Sequence, residues 1–199
     1  MAKKFYAVRC GKKCGIYTSW DECKENIDGF KHAVYKGFMT LEEAQAFMGL
    51  ESNETKPRDG AAAAYVDGSF DVNTKRYSYG MVILYNGAET TSCEAFDDPE
   101  LAEMRNVAGE IQGAMEAMLY CVANDIKKLD IYYDYAGIEY WCTGAWKTNK
   151  PGTIHYKEYY DWMKQRLDIR FVKVRGHSGD KYNDMADKLA KSALGIGDQ

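Results

Sequence analysis

The chain has no apolar run approaching the roughly 18 residues that a membrane-spanning helix needs. No apolar stretch follows the basic start Met1-Ala2-Lys3-Lys4, so no signal peptide is visible, and a cytoplasmic protein without membrane association is expected. Paired cysteine spacing is missing too. The six cysteines stand at 10, 14, 23, 93, 121 and 142. Cys10 and Cys14 are close together, but no second Cys or His pair follows at zinc-site spacing. All six are read as reduced thiols, with Cys121 a small buried group in a helical pattern. There is no internal repeat and no low-complexity tract. Strong positive charge is also absent. A net charge of −4 and a pI near 5.5 argue against a protein that coats nucleic acid non-specifically.

That average hides an asymmetry. Residues 1–48 carry eight Lys/Arg and six Asp/Glu, a balance of +2, which leaves −6 for the rest. The first 20 residues hold Lys3, Lys4, Arg9, Lys12 and Lys13 and no acid. Such a surface suits phosphates, although a run of charge is more often only a solvated face.

Along the chain, residues 5–9, 16–19 and 33–38 read as short strands. "WDECKENI" reads as a helix with Ser19 or Asp21 near its N-cap, and "TLEEAQAFM" as a helix capped by Thr40 with Glu43 completing a capping box. These make a small α+β unit, 1–48. Residues 49–60, "GLESNETKPRDG", are polar, contain Gly and Pro, lack periodicity and read as a linker. In 61–199, strands are expected at 61–67, 77–85 and 89–96, the last two joined by the hairpin signal Asn86-Gly87. A helix over about 100–124, a strand at "LDIYYDY", a helix at "YKEYYDWMKQRL", a strand at "IRFVKV" and a helix at "NDMADKLAKSAL" follow. Antiparallel strands followed by alternating helices and strands predict an α/β domain, a mixed sheet flanked by helices.

Four acids are placed oddly for such a fold. Asp67 ends the apolar run Ala61–Val66, where a buried charge is costly unless paired or bound to metal. Asp134 ends "LDIYYD" in the same way. Glu110 belongs to neither the apolar stripe of its helix (Ile111, Met115, Met118, Val122) nor the solvent stripe (Gln112, Glu116). It lies instead over the small residues Ala114, Ala117 and Cys121, which let another element approach. Asp187 lies one turn after Asn183, an expected N-cap. Each acid alone has a plain structural alternative: a turn cap for Asp67 and Asp134, a boundary side chain reaching water for Glu110, a helix-dipole partner for Asp187. Taken together, converging carboxylates repel one another, and hard divalent cations such as Mg²⁺ or Mn²⁺ relieve that repulsion.

The stretches "YVDGS", "RNVAGE", "YYDY" and "VRGHSGDKYNDMADKLAK" occur in the order and spacing of the type 1 ribonuclease H family, which the chain resembles over nearly all of 60–195. The resemblance implies a ribonuclease H-like mixed five-stranded sheet with flanking helices. It implies that Asp67, Glu110, Asp134 and Asp187 bind two Mg²⁺ ions, with Mn²⁺ a substitute, and that His177 is a mobile catalytic histidine. Asp187 is preferred to Asp184 because the spacing from His177 falls on it. Asn73 and Asn106 match residues that contact the substrate strands. The first unit, through "FYAVRCGKKCGIYTSWDEC" and "VYKGF", resembles the small hybrid-binding domain at the front of many such enzymes. That likeness implies that Tyr6 and Trp20 pack on the DNA strand and that Lys36 meets phosphates. A core position is the plain alternative for Trp20. The segment after Asp134 lacks the basic helical protrusion some relatives use, so the first unit is the better candidate for supplying affinity.

The expected function is therefore endonucleolytic hydrolysis of the RNA strand of RNA–DNA hybrids by two-metal chemistry, leaving 5′-phosphate and 3′-hydroxyl ends. The protein is expected to be a monomer, with double-stranded RNA a further ligand open to the first unit. Two other readings stand beside it: a non-catalytic binder of hybrids or double-stranded RNA, and a nuclease of the same fold acting on DNA junctions.

Overall fold

A computed structural model describes residues 4–31, 33–48, 56–174 and 180–196. The chain divides into two units, Met1–Thr55 and Lys56–Gln199. In the first, strands β1 (Phe5–Cys10), β2 (Gly15–Tyr17) and β3 (Val34–Phe38) form an antiparallel sheet in the order β2-β1-β3, with helices α1 (Trp20–Ile27) and α2 (Leu41–Met48). Ser19, not Asp21, caps α1: its hydroxyl accepts from the Asp21 N–H. The Thr40 hydroxyl accepts from the Glu43 N–H, and the Glu43 carboxylate accepts from the Thr40 N–H, the reciprocal pair of a capping box. Ala7, Val8, Cys23 and Ala44 are fully buried.

In the second unit, β4 (Ala62–Phe70), β5 (Tyr77–Tyr85) and β6 (Ala88–Phe96) make an antiparallel meander, and β7 (Lys128–Tyr133) and β8 (Asp168–Lys173) extend it in parallel, giving the order β6-β5-β4-β7-β8. Asn86 and Gly87 turn the β5–β6 hairpin with φ of 49° and 79°, the left-handed geometry a two-residue hairpin loop demands. The helices are α3 (Pro99–Ala102), α4 (Asn106–Ala123), α5 (Gly137–Thr143), α6 (Pro151–Met163) and α7 (Lys181–Ala193).

Strand β4 explains its own composition. Ala62, Ala64 and Val66 pack with Ala114, Ala117 and Cys121 of α4, whereas Ala63 and Tyr65 pack with Ala186 of α7. Both faces of the strand are covered, so its sequence is an unbroken apolar run rather than an alternation.

Several expectations change. Strand β4, expected to end at Asp67, runs on to Phe70, so Asp67 lies inside the strand. The helix expected over 100–124 is two, interrupted at Arg105, whose φ of 54° is not helical. Helix α5 is additional; it buries Ile138 and Cys142 against the core. Helix α6 begins at Pro151, whose fixed φ suits a first helical position. The N-cap of α7 is Asp180, which accepts from the Tyr182 and Asn183 N–H groups, while Asn183 lies inside the helix and is buried.

Residues 56–60, read as linker, belong to the second unit. Arg58 and Lys56 bond to β7 and β8. Among the described residues no helix is long and apolar enough to cross a membrane.

Candidate active site

Two glycines bring α4 onto the sheet. A Cβ on Gly68 would lie 2.1 Å from the Asn106 carbonyl oxygen and 2.6 Å from the Glu110 nitrogen, and one on Gly109 would lie 1.8 Å from the Ser78 carbonyl oxygen. Only hydrogen fits at either place, so the first turns of α4 rest directly on β4 and β5. This contact carries Glu110 to the part of β4 that holds Asp67. Asp134 follows the last residue of β7, the parallel neighbour of β4.

One carboxylate oxygen from each of Asp67, Glu110 and Asp134 lies within 4.8 Å of the others. Glu110 is 3% exposed, and its Oε1 accepts from the Asn106 amide at 3.2 Å. Asp67 Oδ1 accepts from the Gly68 N–H at 2.7 Å. Burial pushes the Glu110 carboxyl up to about 9, with Asp134 and Asp67 adding to the shift and the Asn106 bond opposing it. Three carboxylates this close cannot all ionise without a counter-charge. The donors are oxygen only and hard, which fits Mg²⁺ or Mn²⁺ and not a softer metal.

Asp187 stands outside that group. Its Oδ2 is 2.8 Å from Lys191 Nζ, one turn along α7. It is nevertheless carried near Asp67. A Cβ on Gly80 would lie 2.0 Å from the carbonyl oxygen of Ala186, and Gly80 is the β5 partner of Asp67. Asn106 is exposed at the start of α4, and Asn73 is exposed in the turn between β4 and β5, its N–H bonded to Asp71. His177 lies outside the described residues.

In the first unit Tyr6 and Trp20 meet at 5.4 Å between ring centroids, and Tyr35 adds a third ring 6.1 Å from Trp20. Trp20 and Tyr35 are 43% and 45% exposed, so Trp20 is not a core residue. The register pairs Val8 with Tyr35 and Ala7 with Lys36. Side chains alternate across a strand, so Tyr35 shares the Tyr6 face and Lys36 lies on the opposite one, its Nζ 5.6 Å from the Phe38 ring. Tyr35 was not among the residues singled out from the sequence, although its place one residue before Lys36 in an exposed strand could have marked it.

A groove of about 360 Å³ opens beside the acids, lined by Val107, Tyr135, Trp141, Lys147, Asn149 and Lys150 among others. Tyr135, next to Asp134, is flanked by Trp141 and Trp146 at 5.8 and 6.1 Å. The lysines on its wall were also passed over in the sequence. The signal for them was the aromatic-basic stretch "WKTNK".

Comparison with known proteins agrees with this geometry. Residues 4–48 match the family described as Ribonuclease H1 N-terminal domain, and residues 59–195 match RNase H. Ribonuclease H1 of Rattus norvegicus is 27% identical over 252 residues, covering 94% of this chain and 88% of its own. The crystal structure of RNase H1 from the halophilic archaeon Halobacterium salinarum NRC-1 superposes with a TM-score of 0.57 at 21% identity, over 68% of this chain and 98% of that one. LC11-RNase H1, solved in complex with an RNA/DNA hybrid, gives a TM-score of 0.53 at 16% identity, over 67% and 99%. With two thirds of its length matching RNase H and Asp67, Glu110 and Asp134 of that region gathered together, the chain belongs to the ribonuclease H family.

Proposed function

We propose that the chain hydrolyses the RNA strand of RNA–DNA hybrids by metal-dependent chemistry, leaving 5′-phosphate and 3′-hydroxyl ends. The observation that carries this reading is the convergence of Asp67, Glu110 and Asp134 at one end of the sheet. A binding module has no need of three carboxylates held so close, because their mutual repulsion weakens both the fold and its attraction for phosphates. Asp67, Glu110 and Asp134 would hold Mg²⁺, or Mn²⁺ in its place, with Asp187 joining as its pairing with Lys191 is exchanged. Bound as a pair, such ions supply the positive charge that lowers the pKa of an attacking water and neutralises the departing 3′ oxygen.

The chain's own residues do the rest. Asn106 occupies one oxygen of Glu110 and so fixes how that carboxylate is presented. Asn106 and Asn73 are the candidates for reading 2′-hydroxyls, the group that tells RNA from DNA. Lys147 and Lys150 line the adjoining groove and offer charge to the phosphates of a bound strand. The Tyr6–Trp20–Tyr35 face offers rings on which sugars or bases of the DNA strand can pack without sequence preference. His177 keeps its proposed part in water attack or product release. The hybrid bound to LC11-RNase H1 supports the choice of substrate, and double-stranded RNA remains a further ligand for the first unit.

The test uses labelled RNA–DNA hybrid, double-stranded RNA and duplex DNA. In Mg²⁺ only the RNA of the hybrid should be cut, and Asp134→Asn should abolish cutting while hybrid binding persists. Binding without cleavage by the wild type would make the chain a hybrid-binding protein, and cleavage of duplex or branched DNA would make it a DNA nuclease.

A further inference from the structure

Asp130, in β7, is completely buried. Its Oδ2 accepts from the Arg58 N–H and from Arg170 Nη2, both at 2.7 Å, and its Oδ1 accepts from Arg58 Nε at 2.7 Å and Arg170 Nε at 3.1 Å. Arg58 also donates to the Asp168 side chain at 2.8 Å, to the Asp168 carbonyl at 2.9 Å and to the Leu129 carbonyl at 3.3 Å. Arg170 donates to the Lys56 carbonyl at 2.6 Å. Arg58 lies in the lead-in to β4, its carbonyl accepting from Ala61 at 3.0 Å. One polar network therefore ties together the segment entering β4, the middle of β7 and the start of β8.

Strand β4 needs such a tie. It pairs with β7 over four rungs, from Ala62 with Leu129 to Tyr65 with Tyr132. Asp67 and Asp134 each lie two residues beyond the last of these rungs, so their relative position is inherited from the register. Residues 61–64 are all alanine. A slip of two residues would exchange alanine for alanine along much of the paired stretch, opposed by Tyr65, Val66 and the close seat of Gly68 under α4, and it would displace Asp67 by about 6.6 Å along the strand. A buried carboxylate with two guanidinium forks is a poor way to gain stability. Its best-attested use is to specify register.

We propose that Arg58 and Arg170, converging on Asp130, form a register lock that positions Asp67 against Asp134. Neither arginine belongs to the acidic group; both act through the strands that carry it. The consequence for metal binding rests on the reading of the acids given above.

The lock and a merely stabilising network are separated by replacing the network with apolar residues in the full-length chain: Arg58→Met, Asp130→Leu and Arg170→Leu together. The triple variant should unfold at or near the wild-type temperature, because burial replaces paired charge. Its Mn²⁺ half-saturation, titrated without substrate, should rise by about ten-fold, and amide exchange at Ala62–Tyr65 should quicken by about ten-fold. Wild-type Mn²⁺ affinity and wild-type exchange in a folded triple variant would overturn the lock. If the triple variant does not fold, Arg58→Lys decides. It keeps the charge and loses the fork, and it should weaken Mn²⁺ binding and quicken exchange at the same rungs; wild-type values for both would overturn the proposal. Asp67→Asn serves as the control for the metal site. If Mn²⁺ binds the wild type and Asp67→Asn equally, the functional reading fails, and exchange at Ala62–Tyr65 alone then decides the lock.

Discussion

Glu110 is a carboxyl that the protein by itself cannot keep charged at neutral pH. Its folded-state pKa of about 9 stands against an ordinary 4.5. A raised carboxyl pKa means that the folded state binds the proton more tightly than the unfolded chain does. That contribution is fully present below pH 4.5 and is lost as pH rises towards 9, amounting to on the order of 3 kcal/mol by pH 7. Without divalent cations, then, stability should fall between pH 5 and 9. Glu110→Gln should flatten that slope, raise the unfolding temperature in chelator at pH 8, and remove hybrid cleavage. A wild-type profile with no such slope, or an active Glu110→Gln enzyme, would place this side chain outside the metal site. The last helix supplies a second contrast. Asp184→Asn should keep substantial activity and cost no more than about 1 kcal/mol of helix-dipole stabilisation, whereas Asp187→Asn should be inactive. Reversed rates for the two variants would move the fourth ligand to Asp184. The inward aim of Glu110 was legible from the sequence because the small stripe Ala114, Ala117 and Cys121 is a pattern along one helix. The Asp187–Lys191 pair was not anticipated: a spacing of four allows a bond but does not require one.

At the scale of elements, the site depends on how closely α4 can approach the sheet. Gly68→Ala would place a methyl 2.1 Å from a backbone carbonyl, and a carbonyl cannot rotate away as a side chain can. Helix α4 must shift, at a cost of about 2–3 kcal/mol in overpacking, and Glu110 must shift with it, so metal affinity should fall as well as stability. Gly113→Ala is the matched comparison. Its Cβ would lie 3.3 Å from Tyr79 and Val66 side-chain carbons, and alanine gains helix propensity of about 1 kcal/mol over glycine. Near-neutral stability and unchanged cleavage are expected there, and unfolding curves with Mg²⁺ titrations of both variants would check the pair. In the sequence Gly68 looked like turn punctuation after Asp67. It lies inside β4, and its role as the seat of a helix emerges only when α4 is laid across it. The break at Arg105 was hidden for a related reason: nothing in "ELAEMRNVAGE" forbids a helix, and the conformation there is imposed by where α4 must begin.

At the scale of the whole molecule, the boundary between the units falls at Thr55 and Lys56, not at the end of the polar stretch 49–60. A fragment beginning at Lys56 should fold and cleave hybrids. One beginning at Asp59 lacks Arg58 and leaves Asp130 with Arg170 alone, and it should be destabilised by on the order of 3 kcal/mol. Equal unfolding temperatures for the two fragments would remove Arg58 from the catalytic unit. The Lys56 fragment should also bind hybrids more weakly than the full chain, with the difference shrinking as salt rises, because phosphate contacts depend on counterion release. Equal affinities at low salt would leave the first unit without a part in substrate binding. The polar composition of 49–60 misled at its end because Arg58 reads as a solvated charge until Asp130, 72 residues later, is folded against it.

What could be read along one dimension was set by periodicity and punctuation: two units, a mixed sheet with helices on it, the hairpin at Asn86-Gly87, Asp134 at the end of its strand, and Glu110 on the inward face of its helix. Each rests on neighbours within a few positions, where backbone geometry alone determines which side chains meet. The distance between Asp67, Glu110 and Asp134, the face of the first unit that carries Tyr35 and not Lys36, and the burial of Asp130 between two arginines rest on strand register and helix seating. Those join residues far apart in the chain, and packing, not local propensity, decides them.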